Sequence, residues 1–175
     1  PDPGSFHARA HEPPGRHIRA PGDEYTFRAF AGTGRPLDNR NNLDNDFGAL
    51  GVQSDIIENI ADDGITSPAP IQELAIPALI EGRDLLAQAP TGSGKTIAFL
   101  LPVIESIDPD LRAPQALILA PTRELAQQIR SVAVMAARDT GIDSVLIHGG
   151  TSYGPQRAAL DAGAQIVIGT PGRII

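Results

Sequence analysis

Residues 84 to 101 read Asp84-Leu-Leu-Ala-Gln-Ala-Pro-Thr-Gly-Ser-Gly-Lys-Thr-Ile-Ala-Phe-Leu-Leu101, and this stretch decides the fold. Its apolar start predicts a short buried strand over 85–88, and a helical pattern begins at Thr96. A glycine loop between a strand and a helix is typical of a phosphate-binding loop, because Gly92 and Gly94 let backbone N–H groups converge on an anion. A plain glycine-rich turn is the alternative, and the complete Gly-Ser-Gly-Lys-Thr core disfavours it.

The last two residues of the loop carry its chemistry. Lys95 is the only lysine in the chain, and its ammonium would reach the β- and γ-phosphates of a nucleotide. The Thr96 hydroxyl would ligate the Mg²⁺ that accompanies those phosphates. We therefore predict Lys95 and Thr96 as catalytic residues, with Thr96 as the metal contact through the nucleotide. The loop residues predicted to bind the nucleotide are Ala89, Pro90, Thr91, Gly92, Ser93, Gly94, Lys95 and Thr96, with Ala89 at a position where such loops usually have glycine.

Composition narrows the class of protein. A chain of 175 residues fits one domain, and the absence of cysteine excludes disulfides and thiolate metal sites. No apolar stretch approaches the roughly 20 residues of a membrane span, and no secretory signal is recognisable. We expect a soluble, cytoplasmic protein with no membrane contact. The formal net charge of −7 argues against broad attraction to nucleic acid, so any such contact must be local.

The chain divides near residue 46. Residues 1–46 mix Pro, Gly, Arg, His and Asn without periodicity, which predicts a disordered N-terminal extension. Its six arginines could contact phosphates, but seven acidic residues offset them, so a solvated tail is the favoured interpretation.

Strands and helices alternate after residue 46. The pattern predicts helices over 55–62, 72–81, 96–107, 123–138 and 155–162, and strands over 85–88, 116–120, 144–148 and 165–168. Such alternation predicts an α/β fold with a doubly wound, mostly parallel sheet. Pro102 falls inside the helix after the phosphate loop and predicts a kink or break there.

Three further short motifs follow predicted strands. They are Pro121-Thr-Arg-Glu-Leu-Ala126, Gly149-Gly150 and Thr170-Pro-Gly-Arg173. With the phosphate loop, all would lie at the carboxyl ends of parallel strands, the edge where open α/β sheets bind ligands. Singly each has an ordinary explanation: Gly-Gly as a turn, Thr-Pro-Gly as a helix start, and Thr122 as a helix cap.

Together these motifs resemble the first RecA-like domain of a DEAD-box RNA helicase, over 47–175. Gly64-Ile-Thr-Ser-Pro-Ala-Pro-Ile-Gln72 resembles the adenine-reading Q motif of that family, with Phe47 at the place of its isolated upstream aromatic. Residues 89–96 match motif I, 121–126 motif Ia, Gly149-Gly150 the GG element, and 170–173 motif Ib. The resemblance implies a RecA-like P-loop NTPase with ATP and Mg²⁺ as cofactors.

The Q motif would recognise the base of ATP or ADP. An amide such as Gln72 pairs with adenine in a pattern that guanine reverses in part, worth roughly 1–3 kcal/mol by analogy with base-edge readout. Phe47 would supply an apolar or stacking surface near the base, and a core aromatic is an equally good interpretation. Ile65 stands where the family usually has an aromatic and Ala69 where a hydroxyl is common, which predicts weaker stacking of adenine.

The other motifs would bind RNA along its sugar–phosphate backbone, with little base specificity. The residues implied are Thr122, Arg123, Gly149, Gly150, Thr170, Gly172 and Arg173. Arg123 could instead pair with a core carboxylate.

The sequence ends at Ile175, before any Asp-Glu-Ala-Asp box or second RecA-like domain. Phosphoryl transfer needs a Walker-B carboxylate and a residue that orients water, so we expect this chain alone to be inactive and its sheet to be incomplete. The parent protein is predicted to be an ATP-dependent RNA helicase that couples ATP hydrolysis to local strand separation. The alternatives are another P-loop NTPase, such as a DNA helicase or a small phosphotransferase, and a non-catalytic nucleotide- or RNA-binding remnant.

Overall fold

A computed structural model of the chain describes Ile18–Arg19, Thr26–Ala31 and residues 47–175. Strands β1 (Ile18–Arg19) and β2 (Thr26–Ala31) come first, and a single 3₁₀ turn covers Gly48–Leu50. The remaining elements are α1 (Ser54–Asp62), α2 (Pro70–Ile80), β3 (Leu85–Gln88), α3 (Lys95–Glu105), β4 (Ala116–Leu119), α4 (Arg123–Ala136), β5 (Ser144–Ile147), α5 (Tyr153–Asp161), β6 (Ile166–Gly169) and α6 (Pro171–Ile174). No described helix is both long enough and apolar enough to cross a lipid bilayer.

Three strands form a parallel sheet in the order β4-β6-β5. Ile166 of β6 lies opposite Ala116 of β4 on one side and opposite Ser144 of β5 on the other. All four residues of β6 are buried, as expected for a central parallel strand with helices on both faces. The three motif-bearing ends of these strands therefore lie at the same edge.

The phosphate-loop strand lies elsewhere. β3 pairs antiparallel with β2, and β2 pairs with β1, in a separate three-stranded sheet. Among the described residues β3 therefore does not pair with β4, β5 or β6, and the common edge for all four motifs stays a prediction. A strand satisfies its backbone N–H and C=O groups with whichever strand is available, and here that strand is β2. Both β1 and β2 fall within the extension predicted to be disordered, whose other residues lie outside the described ones.

Helix α3 connects the two sheets. Its buried Leu100, Leu101 and Ile104 belong to the main core, which includes Ile166 and Ile168 of β6. Its other side contributes Ala98 to a smaller apolar cluster with α2 and β3. Pro102 predicted a kink or a break, and the helix does not break there, because it continues to Glu105. The helix that follows the phosphate loop is thus held from both sides.

Buried amides tie the outer elements together. Asn59 of α1 donates from Nδ2 to the carbonyl oxygens of Ala136 (3.1 Å) and Arg138 (2.7 Å), at the end of α4. These carbonyls have no partner within the helix, so Asn59 caps the helix end from another element. Gln165 is fully buried and bonds from its side chain to the backbones of Asp143 and Pro109.

One side of each sheet carries exposed leucines. Leu86 of β3 is 71% exposed, and Leu117 and Leu119 of β4 are 56% and 53% exposed. Leu117 and Leu119 share a face because they are two residues apart on one strand. Aliphatic side chains on a strand face are normally covered by another layer of structure. The faces that carry these leucines are therefore suited to contact with additional residues.

Candidate functional site

The loop between β3 and α3 has the backbone geometry of an anion cradle. Gly92 and Gly94 adopt left-handed conformations, with φ of 83° and 87°. A Cβ atom at Gly92 would meet no heavy atom within 4 Å, so the backbone there is open to a ligand. The buried Oγ of Ser93 has no hydrogen-bond partner among the described residues. An unsatisfied hydroxyl in a loop of left-handed glycines fits the oxygen atoms of a phosphate group.

Lys95, the first residue of α3, folds back onto the loop. Its Nζ donates to the carbonyl oxygens of Ala89, at 2.6 Å, and of Pro90. An ammonium has three donors, so these two bonds leave one for another acceptor. The single lysine is thus held across the phosphate loop.

A cleft of about 540 Å³ opens beside the loop. Its walls come from two separate segments of the sequence, the Q-like segment and the phosphate loop. The lining residues are Gly64, Ile65, Thr66, Ser67, Ala69, Pro70, Gln72, Pro90, Thr91, Gly92, Ser93 and Gly94. Seven of the residues predicted to bind the nucleotide and its base therefore lie around one cleft: Ile65, Gln72, Pro90, Thr91, Gly92, Ser93 and Gly94.

Gln72 joins the two walls of this cleft. Its Oε1 accepts from the backbone N–H of Ala69 at 2.8 Å, and its Nε2 donates to the carbonyl oxygen of Gly94 at 3.1 Å. The side chain is only 4% exposed. A primary amide has two N–H groups and two acceptor lone pairs, so one of each remains for a ligand.

Phe47 does not line this cleft. Its ring is 1% exposed and packs in the main core with Leu50, Val52 and Ile56. Of the two interpretations of Phe47, the structure thus places the residue as a core aromatic. Ala89, Lys95 and Thr96 also do not line the cleft; Ala89 packs against the cluster of α2 and β3.

The second group of predicted residues lies at the carboxyl edge of the parallel sheet. Thr122 caps α4, because its Oγ1 accepts from the backbone N–H of Leu125 at 3.2 Å. The Arg123 guanidinium lies against Gly149 and Gly150: a Cβ built on Gly150 would be 2.3 Å from its Nη1. No carboxylate pairs with Arg123 in the described part of the chain, so the ion-pair alternative is not observed.

Arg173 is held by the loop after β5. Its Nε donates to the carbonyl oxygen of His148 at 3.0 Å, and its Nη2 donates to that of Thr151. Its guanidinium also stacks over the Tyr153 ring, 3.7 Å from the centroid. The Thr170 N–H donates to the carbonyl oxygen of Ile147, which joins the ends of β5 and β6.

Sequence reasoning missed Tyr153. Its signal in the sequence was an aromatic residue three positions after the Gly149-Gly150 pair. As for metals, no cluster of three or more His, Asp or Glu side chains suited to an ion occurs within the part of the chain that the structure describes.

Residues 69–175 match the family model of the DEAD/DEAH box helicases. That match includes Gln72, the phosphate loop and the three motifs at the sheet edge. The chain belongs to the DEAD/DEAH box helicase family. The resemblance seen in the sequence is thereby confirmed.

Relatives with the family's activity in their names are close in sequence. The ATP-dependent RNA helicase DeaD of Klebsiella pneumoniae is 49% identical over 130 residues, which cover 74% of this chain and 20% of that protein. DeaD of Escherichia coli strain K12 is 48% identical over 130 residues, with 74% and 21% covered. The chain thus spans about a fifth of the length of these curated relatives.

Solved structures of the family share the fold. Prp28 from Chaetomium thermophilum bound to ADP aligns with a TM-score of 0.70 and 41% identity, covering 85% of this chain and 36% of that one. Dbp5 from S. cerevisiae bound to RNA and ADP BeF3 aligns with a TM-score of 0.68 and 34% identity, covering 75% of this chain and 33% of that one. The DEAD box protein of Methanococcus jannaschii aligns with a TM-score of 0.67 and 36% identity, covering 74% of this chain and 35% of that one. The predicted α/β, RecA-like fold class is confirmed.

Proposed function

We propose that this chain forms part of the first RecA-like domain of an ATP-dependent RNA helicase, which couples ATP hydrolysis to local separation of RNA strands. The observation that carries this proposal is the shared cleft: Gln72 of the Q-like segment bonds to Gly94 of the phosphate loop, so one space is bounded by base-reading and phosphate-binding residues. A P-loop enzyme of another family would need the phosphate loop but not the Q-like segment.

The residues present fit ATP. Phosphate oxygens would be held by the backbone N–H groups of Gly92 and Gly94, by the free hydroxyl of Ser93 and by the Lys95 ammonium. Thr96 would contact Mg²⁺, which neutralises phosphate charge during phosphoryl transfer. The remaining N–H and lone pair of Gln72 would pair with adenine, with Ile65 giving an apolar contact. Lys95 has one ammonium donor left for a phosphate oxygen, and exchange of its bonds to Ala89 and Pro90 would free the other two.

The edge formed by β4, β6 and β5 would bind RNA. Arg123, the Gly149-Gly150 backbone and Arg173 offer donors suited to sugar–phosphate contacts, which position a strand without reading its bases. Solved relatives support this assignment, since Dbp5 was captured with RNA and a nucleotide. Recognition of the 2′-hydroxyl would provide the preference for RNA over DNA.

Turnover would need groups from outside residues 47–175. We propose that a Walker-B carboxylate and a second RecA-like domain complete the catalytic site, and that this chain alone does not hydrolyse ATP. We further propose a cytoplasmic location, where ATP and RNA are both present.

The test uses an extended protein, in which this chain is joined at Ile175 to the remainder of the Escherichia coli DeaD relative. We expect RNA-stimulated ATP hydrolysis and duplex separation by the extended protein and neither by the chain alone. Lys95→Ala should abolish hydrolysis in the extended protein, whereas Arg130→Ala, on the outer face of α4, should leave it intact.

Three results would contradict the proposal. Hydrolysis that persists in Lys95→Ala would remove the phosphate loop from the mechanism. Tight binding of ATP and RNA without turnover in the extended protein would favour a non-catalytic binding role. Stimulation by DNA that equals stimulation by RNA would favour a DNA helicase.

A further inference from the structure

A second cleft, of about 330 Å³, lies beside the proposed RNA edge. It is bounded by α5, α6 and the ends of β5 and β6, and none of the residues assigned to the nucleotide lines it. Its aliphatic walls include Leu160 and Val167, and its polar walls include Tyr153, Gln156 and Arg173. An apolar cleft with one aromatic ring and a few polar groups is a typical small-ligand or base pocket.

Tyr153 presents an open aromatic face. The Arg173 guanidinium covers one side of the ring at 3.7 Å, yet the residue remains 72% exposed. A tyrosine that is stacked on one side and solvated on the other offers a platform for a second flat group. Exposure of this extent also means that the ring does not serve to fill the core.

Gln156 lines the same cleft and carries an unsatisfied acceptor. Its Nε2 donates to the carbonyl oxygen of His148 at 3.1 Å and to Oγ1 of Thr151 at 2.6 Å, which fixes the orientation of the amide. Its buried Oε1 has no hydrogen-bond partner among the described residues. A buried acceptor without a partner costs free energy, and a donor on a ligand would relieve that cost.

Positive charge surrounds the ring. Arg173 lies beneath it, and Arg157 lies four residues after Tyr153, on the same side of α5. The side chain of Arg157 is 84% exposed and its ion pair with Asp161 is long, at 3.7 Å, so its charge is little compensated. Two guanidinium groups beside an exposed ring suit a base that is flanked by its phosphates.

We propose that Tyr153 and Gln156 form a stacking pocket for one unpaired base of an RNA strand that lies across Gly149 and Gly150. The inference rests on the proposed RNA-binding function and adds to it a contact with a base rather than with the backbone. The ring stacks on the base, Oε1 of Gln156 accepts from a donor of the same nucleotide, and Arg157 and Arg173 contact the adjoining phosphates. Stacking tolerates any base, so the pocket strengthens binding of single strands without imposing a sequence.

The experiment compares two ligands in the extended protein at low salt. One is a short oligouridine and the other is an abasic ribose-phosphate oligomer of the same length, so that only the first can stack. Tyr153→Leu should weaken oligouridine binding on the order of 5- to 100-fold, and Tyr153→Phe should keep it within about twofold. Binding of the abasic oligomer should be the same for the unsubstituted protein, Tyr153→Leu and Tyr153→Phe. Ultraviolet crosslinking to oligouridine, mapped by mass spectrometry, should place an adduct on Tyr153.

Arg123→Ala separates this inference from the proposed function. It should weaken both oligomers, because it removes a phosphate contact. If Arg123→Ala weakens binding of both oligomers but Tyr153→Leu weakens binding of neither, the stacking pocket is overturned while RNA binding at the edge stands. An equal loss for both oligomers in Tyr153→Leu would show that the ring only positions Arg173, which also overturns the pocket. If the unsubstituted protein binds no RNA, both proposals fail.

Discussion

The side chain of Gln72 donates to the carbonyl oxygen of Gly94 at 3.1 Å, although the two residues are 22 positions apart. A Cβ atom at position 94 would lie 2.4 Å from the same nitrogen, so only glycine allows this approach. The bond connects the segment proposed to read the base to the loop proposed to hold the phosphates. A change at either wall of the cleft therefore reaches the other.

Replacing Gln72 by alanine tests this connection. We expect Gln72→Ala in the extended protein to weaken ATP and ADP binding and to narrow the gap between adenine and guanine nucleotides. Loss of the adenine pairing and of two backbone contacts is worth about 1–3 kcal/mol. Calorimetry with ATP, ADP and GTP measures the effect, and Gln128→Ala on the exposed side of α4 is the matched control. Unchanged base selectivity would leave Gln72 as a capping residue alone.

Much of the fold could be predicted because its signals are local. The glycine loop, the strand-helix alternation and the motif positions gave strands within one or two residues of those observed. Partner choice between strands is not local, so the pairing of β3 with β2 could not be deduced from either sequence segment. Phe47 was ambiguous for a related reason: an aromatic residue in isolation does not reveal whether its neighbours are core residues or a ligand.

Some features of the site depend on the tertiary structure alone. The stack of Arg173 on Tyr153 joins residues 20 positions apart, and no periodicity encodes it. The Lys95 bonds to Ala89 and Pro90 depend on how the loop closes. At Pro102 a local sequence signal was overridden by the tertiary structure. A proline near the end of a well-packed helix removes one backbone hydrogen bond without ending the helix.

Gly150→Ala tests whether RNA binding depends on the position of the Arg123 guanidinium against Gly150. The glycine has φ of 88°, and the added Cβ would collide with the guanidinium, so we expect Arg123 to be displaced and RNA binding to weaken several-fold. Fluorescence anisotropy with single-stranded RNA measures the change in the extended protein. Gly154→Ala is the matched control, since a Cβ there meets nothing within 4 Å.

A double substitution shows whether the effect passes through Arg123. Gly150→Ala combined with Arg123→Ala should bind RNA about as weakly as Arg123→Ala alone, because the displaced group is already absent. Fully additive losses would mean that Gly150 acts on RNA independently.

Asn59→Ala tests the cap between α1 and α4. The substitution leaves the carbonyl oxygens of Ala136 and Arg138 without their side-chain donor, which should lower the free energy of unfolding by about 1–3 kcal/mol. Denaturant unfolding of the extended protein measures this, and Glu58→Ala on the exposed side of α1 is the control. ATP affinity should not change, because neither residue lines the nucleotide cleft.

The exposed leucines predict the behaviour of the isolated chain. Leu86, Leu117 and Leu119 present aliphatic surface on the two sheets, and among the described strands β4 pairs with β6 alone, so we expect aggregation or a molten state. Size-exclusion chromatography and binding of a hydrophobic dye should distinguish the isolated chain from the extended protein. A monodisperse monomer with a sharp cooperative melt would show that these surfaces need no cover.

The single lysine makes the phosphate loop directly measurable. An amine-reactive reagent has one side-chain target in this chain, Lys95, apart from the amine of Pro1 if that residue is the true terminus. Bound ATP should slow the labelling, because β- and γ-phosphate oxygens cover the ammonium. AMP lacks those phosphates and should protect less. The free protein already engages Nζ with Ala89 and Pro90, so we expect its labelling rate to lie below that of a free lysine peptide. Mass spectrometry of the chain and of the extended protein gives the rates separately. Protection by ATP in the extended protein alone would mean that the loop needs further strands beside β3 to form, whereas equal labelling with and without saturating ATP in that protein would remove Lys95 from the nucleotide site.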